Sequence, residues 1–186
     1  MGIHRSNLNP LLAACAAVLC LGGGAHASDA RLDEMFEALR TAPPAEAARL
    51  GEDIRLRLSN SGSPSMNLLL KRGRDAMASG DADLAIELLG ALTDHAPEFA
   101  EGWHARSVAY ARAGLLGPAM DDLTRSLALD PRNFAAIYSL GALLEEVGLP
   151  DLAAEAYGRV VAIHPHFDDA GLALDRLKAE VSGTDL

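Results

Sequence analysis

The sequence predicts an all-α solenoid of helix–turn–helix repeats, preceded by a helical pair and followed by a capping helix. The main evidence is a period of 34 residues, and proline, glycine and alanine all follow it. The positions are Pro97, Pro131 and Pro165; Gly80, Gly114 and Gly148; and Ala85, Ala119 and Ala153. A fixed period of roughly 20–50 residues is typical of arrays whose units bury their apolar faces against their neighbours.

Residues 1–27 are predicted to be a signal peptide. Arg5 precedes an unbroken apolar run at residues 11–21, and residues 25–27 (Ala-His-Ala) have the small-x-small pattern of a cleavage site. This run is about half the length needed to span a bilayer, so we expect no transmembrane anchor. Cleavage after Ala27 would leave Ser28 as the first residue of an exported protein, periplasmic or secreted.

The composition argues against several classes of function. Cys15 and Cys20 both lie in the predicted signal peptide, so the mature chain would have no disulfide, thiol nucleophile or cysteine metal site. Residues 12–15 resemble a lipobox, but the apolar run before Cys15 is short and follows Asn9 and Pro10, which disfavours lipidation. The formal net charge of −10 repels phosphate backbones, so nucleic acid is not expected as a partner.

Residues 28–65 are predicted to form a helical pair and a linker. Leu32, Met35, Phe36 and Leu39 follow the i, i+3, i+4, i+7 pattern of an amphipathic helix over residues 29–40. Prolines at 43 and 44 end this helix and begin a second one, in which apolar residues recur at Leu50, Ile54 and Leu58. The polar stretch at residues 59–64 marks the break before the array.

Three units follow, at residues 66–99, 100–133 and 134–167. Each has a first helix, a glycine turn, a second helix and a turn that carries proline. The glycines fit the left-handed position after a helix end, and the alanines fit places where two helices approach closely. Residues 168–186 supply a capping helix and tail, with an apolar face at Ala170, Leu174, Leu177 and Val181.

These units resemble the tetratricopeptide repeat (TPR). Unit three carries the family pattern most fully, with Ile137, Leu140-Gly141, Leu144, Gly148, Ala153, Tyr157 and Pro165. Unit two departs from it at Arg106-Ser107, where the family prefers Leu-Gly. The resemblance implies a right-handed superhelix whose first helices line a concave groove for a peptide or a partner helix. The N-terminal helices do not follow the pattern, and we expect them to form a degenerate pair that covers unit one.

The resemblance also implies which residues face the groove. The polar and aromatic candidates for partner binding are Asn67, Lys71, Arg74, Glu101, His104, Arg112, Tyr138 and Glu145. The lysine and asparagine that grip a peptide carboxylate in the best-known TPR grooves are replaced by Leu70 and Ala105. We therefore expect no carboxylate clamp. Reversal of Lys71 and Arg74 to glutamate should weaken partner capture and leave the array folded.

Candidates for chemistry have simpler explanations. The adjacent acids at residues 121–122, 145–146 and 168–169 point about 100° apart on a helix, so we expect solvated faces rather than acid dyads. His164 and His166 flank a turn proline and could ligate zinc, with Asp168 or Asp169 as a third ligand. Trp103 occupies a large-residue position of the repeat and is expected in the core.

The sequence therefore favours a non-enzymatic interaction module without a cofactor. Its expected partner is a protein or peptide segment, bound in the concave groove within the cell envelope. Two alternatives remain open. One is a structural protein that self-associates into a homo-oligomer, and the other is a metal enzyme that uses His164 and His166.

Overall fold

The computed structural model describes residues 23–184, and side chains from residue 30 to residue 180. This range contains nine helices and no strand. In chain order the helices are α1 (Gly23–Leu39), α2 (Pro44–Leu58), α3 (Pro64–Ala78), α4 (Ala82–His95), α5 (Ala100–Arg112), α6 (Leu116–Leu129), α7 (Phe134–Glu146), α8 (Pro150–Ile163) and α9 (Asp168–Thr184). The predicted all-α solenoid is confirmed.

Helices α3 to α8 form three antiparallel pairs, each joined by a glycine turn. Gly80, Gly114 and Gly148 have φ values of +83°, +73° and +77°, the left-handed conformation expected of them. The residue after each glycine donates its amide to a carbonyl five residues earlier, as Asp81 does to Ala76 at 2.9 Å. Each first helix thus ends in a closed turn that sends the second helix back along it.

One large side chain fills a gap in the facing helix of each unit. A Cβ atom built on Gly73 would lie 2.5 Å from Leu89, and one built on Gly141 would lie 2.6 Å from the ring of Tyr157. The same two positions in unit two are Ser107 and Leu123, both buried. A small residue in the first helix therefore lets the two helices of a unit approach closely.

Unit two keeps this geometry with a polar pair where the family has leucine and glycine. Arg106 donates from Nε and Nη2 to both oxygens of Asp122, at 2.7 and 2.8 Å, and from Nη1 to Thr93 at 2.8 Å. Asp122 is 5 % exposed, which corrects the expectation that the acids at 121–122 are both solvated. A two-pronged guanidinium contact satisfies a buried carboxylate, so the departure from the family pattern is compensated within the unit.

Trp103 lies beside this pair and is only half-buried, which corrects its expected place in the core. Its Nε1 donates to the carbonyl of Pro97 at 2.9 Å. The guanidinium carbon of Arg106 lies 4.9 Å from the centre of its ring. Trp103 therefore fastens α5 to the preceding proline turn and stacks on Arg106, instead of filling a cavity between helices.

The first two helices, here called the N-terminal hairpin, pack against unit three. Phe36, Leu39 and Ile54 belong to the same buried apolar cluster as Phe134 and Ile137. Unit one has a separate cluster, and its Leu68 is 49 % exposed. This corrects the expectation that the pair covers unit one. Unit three offers the larger apolar surface, because its aromatic side chains lie together on one side.

The two ends of the described range extend the array. Helix α1 begins at Gly23, six residues before the start predicted from its apolar pattern, because the alanines that precede Asp29 support a helix. Most of the predicted signal peptide, including Cys15, lies outside the described residues. Helix α9 packs on α8 and buries Ala170 and Leu177. No helix in the described range is long and apolar enough to cross a bilayer.

The close fit inside unit three predicts opposite effects for two Gly→Ala changes. Gly141→Ala should lower the free energy of unfolding by about 1–3 kcal/mol, because its methyl group meets the buried ring of Tyr157. Gly158→Ala, in α8, has open space around the new Cβ and should raise it by about 0.5–1 kcal/mol. Urea unfolding of both variants is the measurement, and an equal effect of the two changes would contradict the fit.

Candidate binding groove

The first helices of the three units, α3, α5 and α7, line a groove that contains two cavities. The first has a volume of about 280 Å³, lies between α5 and α7, and is lined mostly by apolar atoms. The second has a volume of about 250 Å³ and is walled by side chains of all three units and of the N-terminal hairpin. The first is lined by Ser107, Val108, Ala111, Arg112, Leu123, Tyr138, Ser139, Ala142, Leu143 and Glu146.

Three of the predicted groove residues meet in a polar network around Glu101. This carboxylate is 7 % exposed and accepts hydrogen bonds from Arg74 of unit one, from Asn133 at 3.1 Å, and from Nδ1 of His104 at 3.3 Å. His104 in turn contacts the hydroxyl of Ser139 through Nε2, at 3.0 Å. The network therefore joins α3, α5 and α7 across the floor of the groove.

The charge of Glu101 is stabilised by these neighbours. Burial alone would raise the pKa of Glu101, but the attraction and hydrogen bond of His104, with Arg74 and Asn133, outweigh burial and hold its pKa below the usual value. Glu101 is therefore ionised at neutral pH. A buried carboxylate that keeps its charge depends on the cation beside it, so Arg74 has a structural role as well as a place in the groove.

Ser139, His104 and Glu101 have the connectivity of a serine–histidine–carboxylate triad. A nucleophilic serine also needs hydrogen-bond donors for the oxyanion that forms on its substrate. Ser139 lies inside α7, where the backbone amides are used by the helix itself. The helix supplies no amide for an oxyanion, so the arrangement serves to fix α5 against α7.

The remaining predicted residues occupy three different settings. Asn67 holds the linker, because its Oδ1 accepts from the amide of Ser61 at 2.9 Å. Lys71 is exposed on α3 and pairs with Asp75 at 2.6 Å. Arg112 reaches back to unit one and donates to the carbonyl of Met77 at 3.0 Å. Of these, Arg112 lines the apolar cavity and the other two do not.

Tyr138 and Glu145 lie on α7, towards the end of the array. The ring of Tyr138 lies 5.4 Å from that of Tyr157 and 5.2 Å from that of Phe167. Glu145 accepts from the hydroxyl of Tyr157 at 2.7 Å and from Arg176 of the capping helix at 2.5 Å. Glu145 is therefore engaged within the array, which corrects its expected solvated setting.

The two positions that replace the carboxylate clamp are unsuited to bind a carboxylate. Leu70 is 2 % exposed and Ala105 is 5 % exposed, and neither side chain carries a donor. The sequence analysis missed Ser139, although it stands 34 residues after Ala105 and the repeat register could have found it. It also missed Asn133, whose side chain caps α7 by accepting from the amide of Ala136 at 3.1 Å.

The end of α2 closes one side of the groove. Arg55, Leu58 and Ser59 wall the second cavity, opposite Arg74, Met77, Glu101, His104, Ala105, Val108, Asn133 and Ala135. The hydroxyl of Ser59 accepts from Arg74 at 3.2 Å. No sequence pattern indicated this placement, because it depends on contacts between parts of the chain that lie far apart.

His164 belongs to the hairpin contact rather than to a metal site. It is 5 % exposed, and its ring lies 5.3 Å from that of Phe134 and 5.7 Å from that of Phe167. Burial, followed by the charge of nearby His166, lowers the pKa of His164, so the ring is neutral at neutral pH. His166 is exposed, and the described residues contain no group of three His, Cys, Asp or Glu placed to hold a metal ion.

Comparison with known proteins agrees with the helical pairs and the groove. No family model matches the chain. A TPR repeat-containing protein of Rhizobium etli is 29 % identical over 154 residues, which are 82 % of this chain and 76 % of the relative. The chain is a tetratricopeptide repeat protein. TPR proteins are generally non-enzymatic modules for protein–protein interaction.

Solved TPR structures share the fold at low sequence identity. The first TPR domain of Spaghetti (RPAP3), bound to the HSP90 peptide SRMEEVD, has a TM-score of 0.60 at 22 % identity and covers 63 % of this chain and 93 % of its own. The Yersinia enterocolitica type III secretion chaperone SycD, in complex with a peptide of the translocator YopD, has a TM-score of 0.58 at 14 % identity and covers 65 % and 98 %.

The Glu101 network predicts unequal effects for the two charge reversals suggested by the sequence. Arg74→Glu should lower the free energy of unfolding by about 2 kcal/mol, because it places a second carboxylate beside buried Glu101; partial exposure of Arg74 keeps the cost below that of a fully buried pair. Lys71→Glu should change it by less than about 1 kcal/mol, because Lys71 and Asp75 are both exposed.

Thermal and urea unfolding of the two single variants measure this difference. Equal stability of both variants would contradict the structural role of Arg74. The combined reversal is therefore no clean test of partner capture, which corrects the expectation that it leaves the array folded.

Proposed function

We propose that this TPR protein captures an apolar segment of a partner protein in the cavity between α5 and α7. The observation that carries the proposal is the composition of that cavity, where small and aliphatic side chains from two first helices surround about 280 Å³. Arg112 stands at one end of the lining and Glu146 at the other. An apolar anchor flanked by charged residues of both signs suits such a site.

The TPR neighbours support a peptide as the class of partner. RPAP3 and SycD are TPR proteins that hold peptides, one from HSP90 and one from YopD. This chain has leucine and alanine in place of the carboxylate clamp, so recognition of a C-terminal carboxylate is not part of the proposal. Affinity would come from burial of apolar side chains between α5 and α7.

A charge placed inside the cavity tests the groove as the site of capture. Ala142 is exposed, lines the cavity and has no role in the helix pairs, so Ala142→Lys should preserve the fold. We expect it to weaken partner binding about tenfold or more, because the partner would have to bury an ammonium group. Ala162→Lys makes the same change at an exposed position of α8, which is not part of the lining.

The measurement is crosslinking and affinity capture in the native host with the wild type and the two variants. Proteins that are recovered with the wild type and Ala162→Lys, and lost with Ala142→Lys, would be groove partners. Recovery of the same proteins with all three would refute the groove as the binding site.

We also propose that the protein acts in the cell envelope after export, periplasmic or secreted. The support is the apolar run at residues 11–21 and the small-x-small pattern at residues 25–27. N-terminal sequencing of protein purified from its host should give Ser28 as the first residue. An N-terminus at Met1 in that material would overturn the proposed export.

A further inference from the structure

We infer that the N-terminal hairpin is a built-in occupant of the groove, and that it leaves as a unit to admit a partner. The docking of the hairpin is a property of this chain alone. Its consequence for partner access rests on the proposed function. The inference is carried by three observations: where the hairpin lies, what holds it there, and what connects it to the array.

The hairpin lies where a bound segment would have to pass. Its residues Arg55, Leu58 and Ser59 share one cavity with groove side chains from all three units. Leu58 comes four residues after Ile54, which is fully buried in the cluster of unit three. Helix α2 therefore presents an apolar i, i+4 edge to the array, as an amphipathic partner helix would. This half of the groove cannot hold a partner segment while α2 stays.

The hairpin is held mainly by apolar contacts with unit three. Phe36, Leu39 and Ile54 are buried together with Phe134 and Ile137. Two more contacts act as clasps. The Cα of Gly51 faces His164, so that a built Cβ would lie 2.8 Å from Nε2. Arg132 pairs with Asp33 at 2.6 Å, and its guanidinium carbon lies 4.6 Å from the centre of the Phe36 ring.

The connection to the array permits departure. Residues 59–63 are polar, and Gly62 has a φ of +78°. The apolar clusters of unit one and of the boundary between units two and three contain no hairpin residue. These parts of the array would therefore keep their cores if the hairpin left. Contacts between distant parts of a chain that can open without the rest are expected at the low end of local stability.

Departure would expose the surface that a partner needs. Phe134, Tyr138 and Phe167 form an aromatic patch that the hairpin now borders or covers. A partner with apolar residues at i, i+4 spacing could replace Ile54 and Leu58 there. The hairpin thus indicates the class of partner, an amphipathic helix that competes with α2 for the same surface.

Native-state hydrogen exchange of the full chain tests the docked hairpin. Gly51→Val places methyl groups against His164 and should speed exchange of the α1 and α2 amides at least tenfold, with α4 to α6 unchanged. Gly158→Val, also in mid-helix but with open space, should leave α1 and α2 protected. Asp33→Arg, at an exposed position, should act like Gly51→Val, and the added change Arg132→Asp should restore protection.

Equal acceleration in the hairpin and the array would overturn the inference, because the hairpin would then be part of one cooperative unit. Unchanged exchange of α1 and α2 in both Gly51→Val and Asp33→Arg would overturn it as well.

Partner access is tested with a labelled synthetic peptide of residues 28–60 as the probe. We expect it to bind Gly51→Val at least ten times more tightly than the wild type, because the tethered hairpin no longer competes. Equal binding to both proteins, or binding to neither, would overturn the inference. If the peptide binds as expected and the Ala142→Lys experiment fails, the hairpin is an occupant and the proposed capture function is wrong. The reverse result refutes the occupant alone.

Discussion

The array depends on the fit of one large side chain against one small residue in each unit. Leu89 faces Gly73 and Tyr157 faces Gly141, at distances that leave no room for a Cβ atom on either glycine. This contact sets the spacing of the two helices in a unit. Because the same contact recurs every 34 residues, successive first helices lie side by side and form a continuous groove. The groove is thus a consequence of the packing inside the units.

Unit two shows that the constraint is steric rather than apolar. It replaces the usual leucine and glycine with Arg106 and Ser107, and it adds Asp122 on the facing helix. The close approach survives, because Ser107 is small and donates to the carbonyl of His104 at 2.6 Å, while Arg106 and Asp122 satisfy one another. Removing either charge would leave the other buried, so this polar version of the contact tolerates less change than the apolar one.

The sequence predicted what local chemistry decides. The glycine turns and the helical pairs follow from the 34-residue period, since left-handed turns and close helix contacts need particular residues at fixed positions. The cross-unit contacts were beyond it. Arg74 meets Glu101 because the superhelix brings α3 beside α5, and the hairpin meets unit three through contacts such as Asp33 with Arg132. Trp103 was misplaced for a related reason, because its position fits the pattern but Arg106 beside it does not.

The groove is best understood as a surface with two competing claims on it. An aromatic patch at Phe134 and Phe167 would be a liability on a protein without a partner, because exposed apolar surface promotes association. A tethered hairpin covers it at no cost in diffusion, since the linker keeps the two at high effective concentration. Each factor of ten in favour of the docked hairpin weakens a competing partner about tenfold, or about 1.4 kcal/mol. The affinity of this TPR protein for a segment that needs that patch is therefore set by two surfaces, the groove and α2, and changes in either one can tune it.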